Sequence, residues 1–187
     1  MRGRKLSRGE ALAEYLVYRV RTYEYLQVFQ ILVDIKDRTY VPENRFSKPV
    51  TETLQNILLG MFASFIDTSS KALNVFDVWM ALYPNEKARI EDAWRKIEPH
   101  MGLIRDFRNN VSFHACRNLG EYIKALKSYQ ENTKLITLSM TEFGKLANDL
   151  IVKEPEALPH LKAEAGPILK RAGVPDEHIG NAEDYFL

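Results

Sequence analysis

An all-α chain, folded as an antiparallel helical bundle with a short irregular or helical C-terminal tail, is what this 187-residue sequence predicts. Three observations carry that reading. Apolar residues recur at helical spacing along most of the chain. No stretch alternates apolar and polar residues in the manner of a half-buried strand. Residues that start and stop helices punctuate the periodic segments. Short connections between such helices place neighbours antiparallel. Residues 1–154 read as the bundle, and residues 155–187 as a tail that packs on it or on a partner.

The first helix opens on a capping box, with Ser7 as N-cap and Glu10 three residues later. Leu12, Leu16, Val20, Tyr23, Leu26 and Ile31 carry an apolar stripe to about Ile35, with Arg8, Glu14, Arg21 and Glu24 off that face. Tyr15, Tyr18, Tyr23 and Tyr25 read as bundle aromatics with hydroxyls at the edge, in preference to base-stacking groups beside Arg19 and Arg21. Residues 37–48 hold Pro42, Asn44 and Ser47 without periodicity and read as a loop. A second, broadly apolar helix runs from Pro49 to Ile66 through Leu54, Ile57, Leu58, Met61, Phe62 and Phe65, the proline suiting a first turn. Cap formers from Asp67 to Ser70 then precede a short helix through Leu73, Phe76, Val78, Trp79 and Leu82, which stops at Tyr83-Pro84.

Asn85 reads as the cap of a fourth helix through Ile90, Ala93, Trp94, Ile97 and Met101, interrupted or kinked at Pro99. Leu103, Ile104 and Phe107 follow. Asn118 with Glu121 starts a long helical region through Tyr122, Ile123, Leu126, Leu135, Leu138, Phe143, Leu146 and Leu150. Polar residues 130–133 leave its continuity open, and it ends near Glu154-Pro155. Pro155, Pro159, Gly166-Pro167 and Gly173-Val174-Pro175 permit only short helices beyond that point.

Composition bounds the function. With 45% hydrophobic and 27% charged residues the chain is globular, and its net charge of +1 conceals an asymmetry. Residues 1–153 carry 23 Lys and Arg against 18 Asp and Glu, whereas residues 154–187 carry 3 against 7. A basic body with an acidic tail is compatible with a polyanionic ligand, and equally with two independently solvated surfaces. One cysteine excludes an intrachain disulfide, and the cytoplasm is the default compartment. No signal peptide or membrane span is read. Glycine-rich phosphate loops, HExxH and CxxC are absent, and His100, His114, His160 and His178 are too dispersed for a zinc site. No metal or cofactor is expected.

The stretch that carries chemistry runs from residue 105 to residue 117: Arg105-Asp106-Phe107-Arg108-Asn109-Asn110-Val111-Ser112-Phe113-His114-Ala115-Cys116-Arg117. Arginine offers a permanently charged, planar fork of donors suited to phosphate, and histidine shuttles protons near neutrality. A phosphodiester is the substrate the two would handle best together. A six-residue step on a regular helix turns roughly 600°, which leaves Arg108 and His114 about 120° apart around the axis. Either the backbone departs from helix at Asn109-Asn110, or a second copy of the chain completes the site. Ser112 reads as a helix cap and Cys116 as a small buried residue.

Arg108-Asn109 followed by His114 resembles the R-x(4–6)-H signature of the HEPN superfamily, in which the residue after the arginine is usually Asn, His or Asp. Phe107-Arg108-Asn109-Asn110 leading to Phe113-His114, with Phe76-Asp77-Val78-Trp79 upstream, looks most like the abortive-infection (AbiU-like) branch. The resemblance implies a metal-independent endoribonuclease, a toxin or antiphage effector, that acts on RNA as a homodimer and is held in check by an antitoxin protein. It implies that His114 is the general acid or base, that Arg108 stabilises phosphoryl charge and that Asn109 orients the phosphate or the histidine. Arg105 and Arg117 are then candidates for substrate-backbone contacts. The alternative is a catalytically silent module of the same superfamily that binds RNA or protein.

Overall fold

Helix α1 (Arg8–Lys36) begins with the capping box the sequence predicts. The Ser7 N–H donates to Glu10 Oε2 at 2.9 Å, and the Glu10 N–H donates to Ser7 Oγ at 3.3 Å. The computed structural model describes residues 6–36, 47–67, 74–109 and 119–171, together with positions 173, 175–177 and 179. Most of these residues are helical, and no strand lies among them. After α1 come α2 (Ser47–Phe65), α3 (Val75–Leu82), α4 (Lys87–Ile97), α5 (Met101–Phe107), α6 (Leu119–Ala157) and α7 (Leu161–Arg171), with 3-10 turns at Pro84–Glu86 and Glu98–His100.

The inward face of α1 is rotated from the aliphatic stripe. Ala11, Tyr15, Tyr18, Thr22 and Tyr25 are buried in a seam stepping by threes and fours, Leu32 continues it two turns on, and Leu12 and Leu16 flank it. Tyr23 and Ile31, assigned to the stripe, are exposed. Tyrosine brings a large ring to the core and needs only one partner for its hydroxyl. Those partners lie inside the bundle and not at its edge: the Tyr25 hydroxyl donates to the Met140 carbonyl at 3.0 Å, and the Tyr15 hydroxyl lies 2.8 Å from that of Tyr83.

Phe143 of α6 lies at the centre of the core. It stacks on Phe65 and Trp79 at 5.0 and 5.4 Å between ring centroids, and Tyr25 meets it edge-on at 5.2 Å. Helices α1, α2, α3 and α6 thus share one aromatic cluster. Tyr25 pairs with Met140 and Tyr15 with Glu154, so α1 and α6 run antiparallel.

Local details refine the sequence reading. Helix α2 starts at Ser47, two residues before Pro49, while residues 37–46 lie outside the described residues. The cap of α3 is Asn74, whose Oδ1 accepts from the Phe76 N–H at 2.9 Å; residues 68–70 lie outside the described set. Asn85 sits within a 3-10 turn and is not the N-cap of α4, a position held by Glu86 without a side-chain bond. Pro99 interrupts the helix as predicted, through the 3-10 turn between α4 and α5. Helix α6 is continuous across residues 130–133, where Asn132 Nδ2 and Thr133 Oγ1 donate to the Ser128 and Tyr129 carbonyls, each at 2.8 Å. It runs on through Pro155 to Ala157, past the expected stop. Helix α7 packs on α1 through Leu161, Ala165 and Ile168 and ends at Arg171; beyond it the Gly173 N–H bonds to the Lys170 carbonyl, and its φ of 84° suits a residue without Cβ. Among the described residues no helix is long and apolar enough to cross a membrane.

Candidate functional site

Helix α5 delivers the arginines. It lies against α2 and α6, and its last residue, Phe107, stacks on Tyr129 of α6 with ring centroids 4.0 Å apart. That contact fixes the helix end from which the following residues depart. The Arg108 N–H is shared between the carbonyls of Arg105 and Ile104, and at residues 108–109 the helix widens into a π turn. Such local widening re-aims side chains and recurs at functional sites.

Arg105 and Arg108 stand three residues apart, so they share one face of α5. Both line a shallow cavity of about 130 Å³ between α5 and the end of α2. Its floor is apolar, formed by Ala63, Ile66, Met101 and Ile104, and Asp67 closes the far wall. Arg108 Nη1 is 3.8 Å from Asp67 Oδ2, with both side chains about 30% exposed. Arg105 and Asn109 are exposed, and Asn109 does not line the cavity. His114 and Arg117 lie outside the described residues. The structure therefore brings two of the five predicted site residues together and adds one the sequence did not indicate, Asp67.

Gly102 also lines the cavity, and a Cβ built on it meets nothing within 4 Å. A side chain at this position would therefore extend into open space at the rim of the cavity. Glycine within a helix costs about 1 kcal/mol relative to alanine. Gly102→Leu is expected to leave the melting temperature unchanged or raised while weakening any ligand seated there. Thermal denaturation and ligand titration on the same variant check this.

A second polar cluster, buried and remote in sequence, joins α1 to the C-terminal part of α6. Arg19 Nε donates to both carboxylate oxygens of Glu154, at 2.9 and 2.7 Å. The Tyr15 hydroxyl donates to Glu154 Oε2 at 2.5 Å and lies 2.8 Å from the Tyr83 hydroxyl. The Arg19 guanidinium also lies 5.0 Å from the centroid of the Tyr23 ring, a cation–π contact. Burial opposes the charge on Arg19, yet the bond to Glu154 and that carboxylate's charge hold its pKa above the usual value. This arrangement satisfies its own charges and leaves no open face toward a ligand. Its role is to hold helices together.

Three buried tyrosines give the fold a pH signature. Burial first, then the neighbouring Tyr83 and Glu154, hold the Tyr15 hydroxyl far above the usual phenol range. Tyr25 is raised by burial alone. Tyr83 is raised by burial, with the hydrogen bond it shares with Tyr15 opposing and Glu154 adding. In the unfolded chain each ionises near pH 10. Above that pH the unfolded state binds fewer protons than the folded one, so stability is fully present below about pH 10 and falls as pH rises further. Denaturant midpoints measured across this range should drop, and tyrosinate absorbance for these three rings should appear only with unfolding.

Comparison of the chain with protein-family models, curated proteins and solved structures returned no match. The functional reading therefore rests on the residues themselves.

Proposed function

We propose that this chain is a metal-independent endoribonuclease of the HEPN type, a toxin or antiphage effector that works as a cytoplasmic homodimer under the control of an antitoxin protein. The observation that carries the proposal is the pairing of Arg105 and Arg108 over one open cleft, at the helix end that leads directly into the histidine of the motif. In this reading the ribose 2′-OH attacks the adjacent phosphorus and the 5′-oxygen leaves, giving a 2′,3′-cyclic phosphate and a 5′-hydroxyl. His114 takes or returns the proton. Arg108 stabilises the charge that builds on the phosphoryl oxygens. Asn109 orients the phosphate or the imidazole, and Arg105 and Arg117 contact the RNA backbone. Leu119 and Ile123 support the dimer, since both are exposed apolar residues at the start of α6, just beyond the motif.

RNA cleavage in the presence of EDTA, compared across wild type, Arg108→Ala and His114→Ala, tests the proposal. Turnover by wild type that is lost in both variants supports it. RNA binding by wild type without turnover supports the catalytically silent module instead.

A further inference from the structure

We infer that Asp67 is an internal competitor for Arg108, a carboxylate that a phosphate of the bound strand must displace; this rests on reading the Arg105–Arg108 cleft as a phosphate-binding site. Asp67 sits two residues beyond the end of α2, on the wall of the cavity that faces α5. Its Oδ2 is 3.8 Å from Arg108 Nη1, well outside the roughly 2.7–2.9 Å of a charge-assisted hydrogen bond. Both side chains are about one-third exposed, the regime in which an ion pair is weak and readily exchanged.

Helix electrostatics give Asp67 no stabilising role at the end of α2 itself. A carboxylate near a helix C-terminus meets the negative end of the dipole and is disfavoured there, whereas Arg108, at the C-terminus of α5, is favoured. Asp67 therefore stands where it costs α2 a little and places an anionic oxygen within reach of Arg108. Arg105, on the same face of α5, makes no ion pair among the described residues. The two arginines are thus inequivalent. Arg105 is open to capture a strand, while Arg108 is held until a phosphate replaces the carboxylate. Binding of a polyanion and release of Arg108 are coupled, which raises the threshold for weak anions.

The test uses a fluorescently labelled single-stranded DNA oligonucleotide, which lacks the 2′-OH and so reports binding without cleavage. Dissociation constants and their salt dependence are measured for wild type, Asp67→Asn, Arg108→Ala and the double variant. The expected result is that Asp67→Asn tightens binding by about two- to fivefold, that Arg108→Ala weakens it, and that Asp67→Asn has no effect once Arg108 is absent. Tightening of the same size in the Arg108→Ala background would mean a general charge effect and overturns the inference. Weakening by Arg108→Ala with no gain from Asp67→Asn overturns it as well, and leaves the cleft reading intact. If wild type does not bind, or Arg108→Ala binds as wild type does, the cleft reading fails and takes this inference with it.

Discussion

Arg108→Ala is expected to lower kcat for RNA cleavage by about 10²–10³-fold, the loss seen when one pre-placed donor to a developing oxyanion is removed. Arg108 lines an apolar-floored cavity on a helix end fixed by the Phe107–Tyr129 stack, so the guanidinium that Asp67 gives up is already beside the bound phosphate. Because Arg108 also binds the phosphate, KM rises as well, but the larger loss falls on kcat, where the phosphoryl charge builds. Arg108→Lys is expected to recover only a small part, because an ammonium is a single point charge and cannot offer the planar fork that spans two phosphoryl oxygens. Arg105→Ala should behave differently. Its side chain is exposed, so its removal raises KM and flattens the salt dependence of binding, with kcat little changed. Steady-state kinetics on the three variants separate these outcomes, and an unchanged kcat in Arg108→Ala contradicts the assignment.

Glu154→Ala is expected to destabilise the fold by about 3–5 kcal/mol, because it leaves the Arg19 charge buried without its partner. For a chain of this length that corresponds to a fall in melting temperature of roughly 10 °C. Glu154 also accepts from the Tyr15 hydroxyl, so one substitution removes three hydrogen bonds that tie α1 to α6. Replacing both charges, as in Arg19→Met with Glu154→Leu, should restore most of the loss, since filling the space with apolar atoms removes the desolvation cost of the pair. Denaturant titrations of the single and double variants check this. A loss below about 1 kcal/mol in Glu154→Ala, the range of an exposed pair, contradicts the role given to the cluster.

What could be read from the chain, and what could not, follows from how far apart the interacting residues lie. The Ser7–Glu10 capping box and the break at Pro99 depend on neighbours in sequence, and both are found as expected. The common face of Arg105 and Arg108 follows from helical spacing alone. In α1 the burial of Tyr15, Tyr18 and Tyr25 agrees with their reading as bundle aromatics, but Tyr23 and Ile31 of the apolar stripe are exposed, and the Tyr15 and Tyr25 hydroxyls find partners inside the core that only the folded chain supplies. The α3 cap, Asn74, lies beyond the run of cap formers from Asp67 to Ser70, and only its bond to the Phe76 N–H distinguishes it. Residues 130–133 left α6 open to interruption because polar side chains compete with helical backbone bonds; here Asn132 and Thr133 bond to carbonyls of the preceding turn and the helix persists. Arg19 and Glu154 are 135 positions apart, and each alone reads as an ordinary surface charge. Asp67 is hidden in the same way, since nothing local to it announces Arg108 across the cleft.

The most direct test of the central claim is the chemistry of the cut ends. An RNA oligonucleotide incubated with the protein in EDTA is predicted to yield fragments ending in 2′,3′-cyclic phosphate and beginning with 5′-hydroxyl, and the same strand methylated at every 2′-oxygen is predicted to stay whole. Fragments with 3′-hydroxyl and 5′-phosphate ends, or cleavage of the methylated strand, would contradict the account.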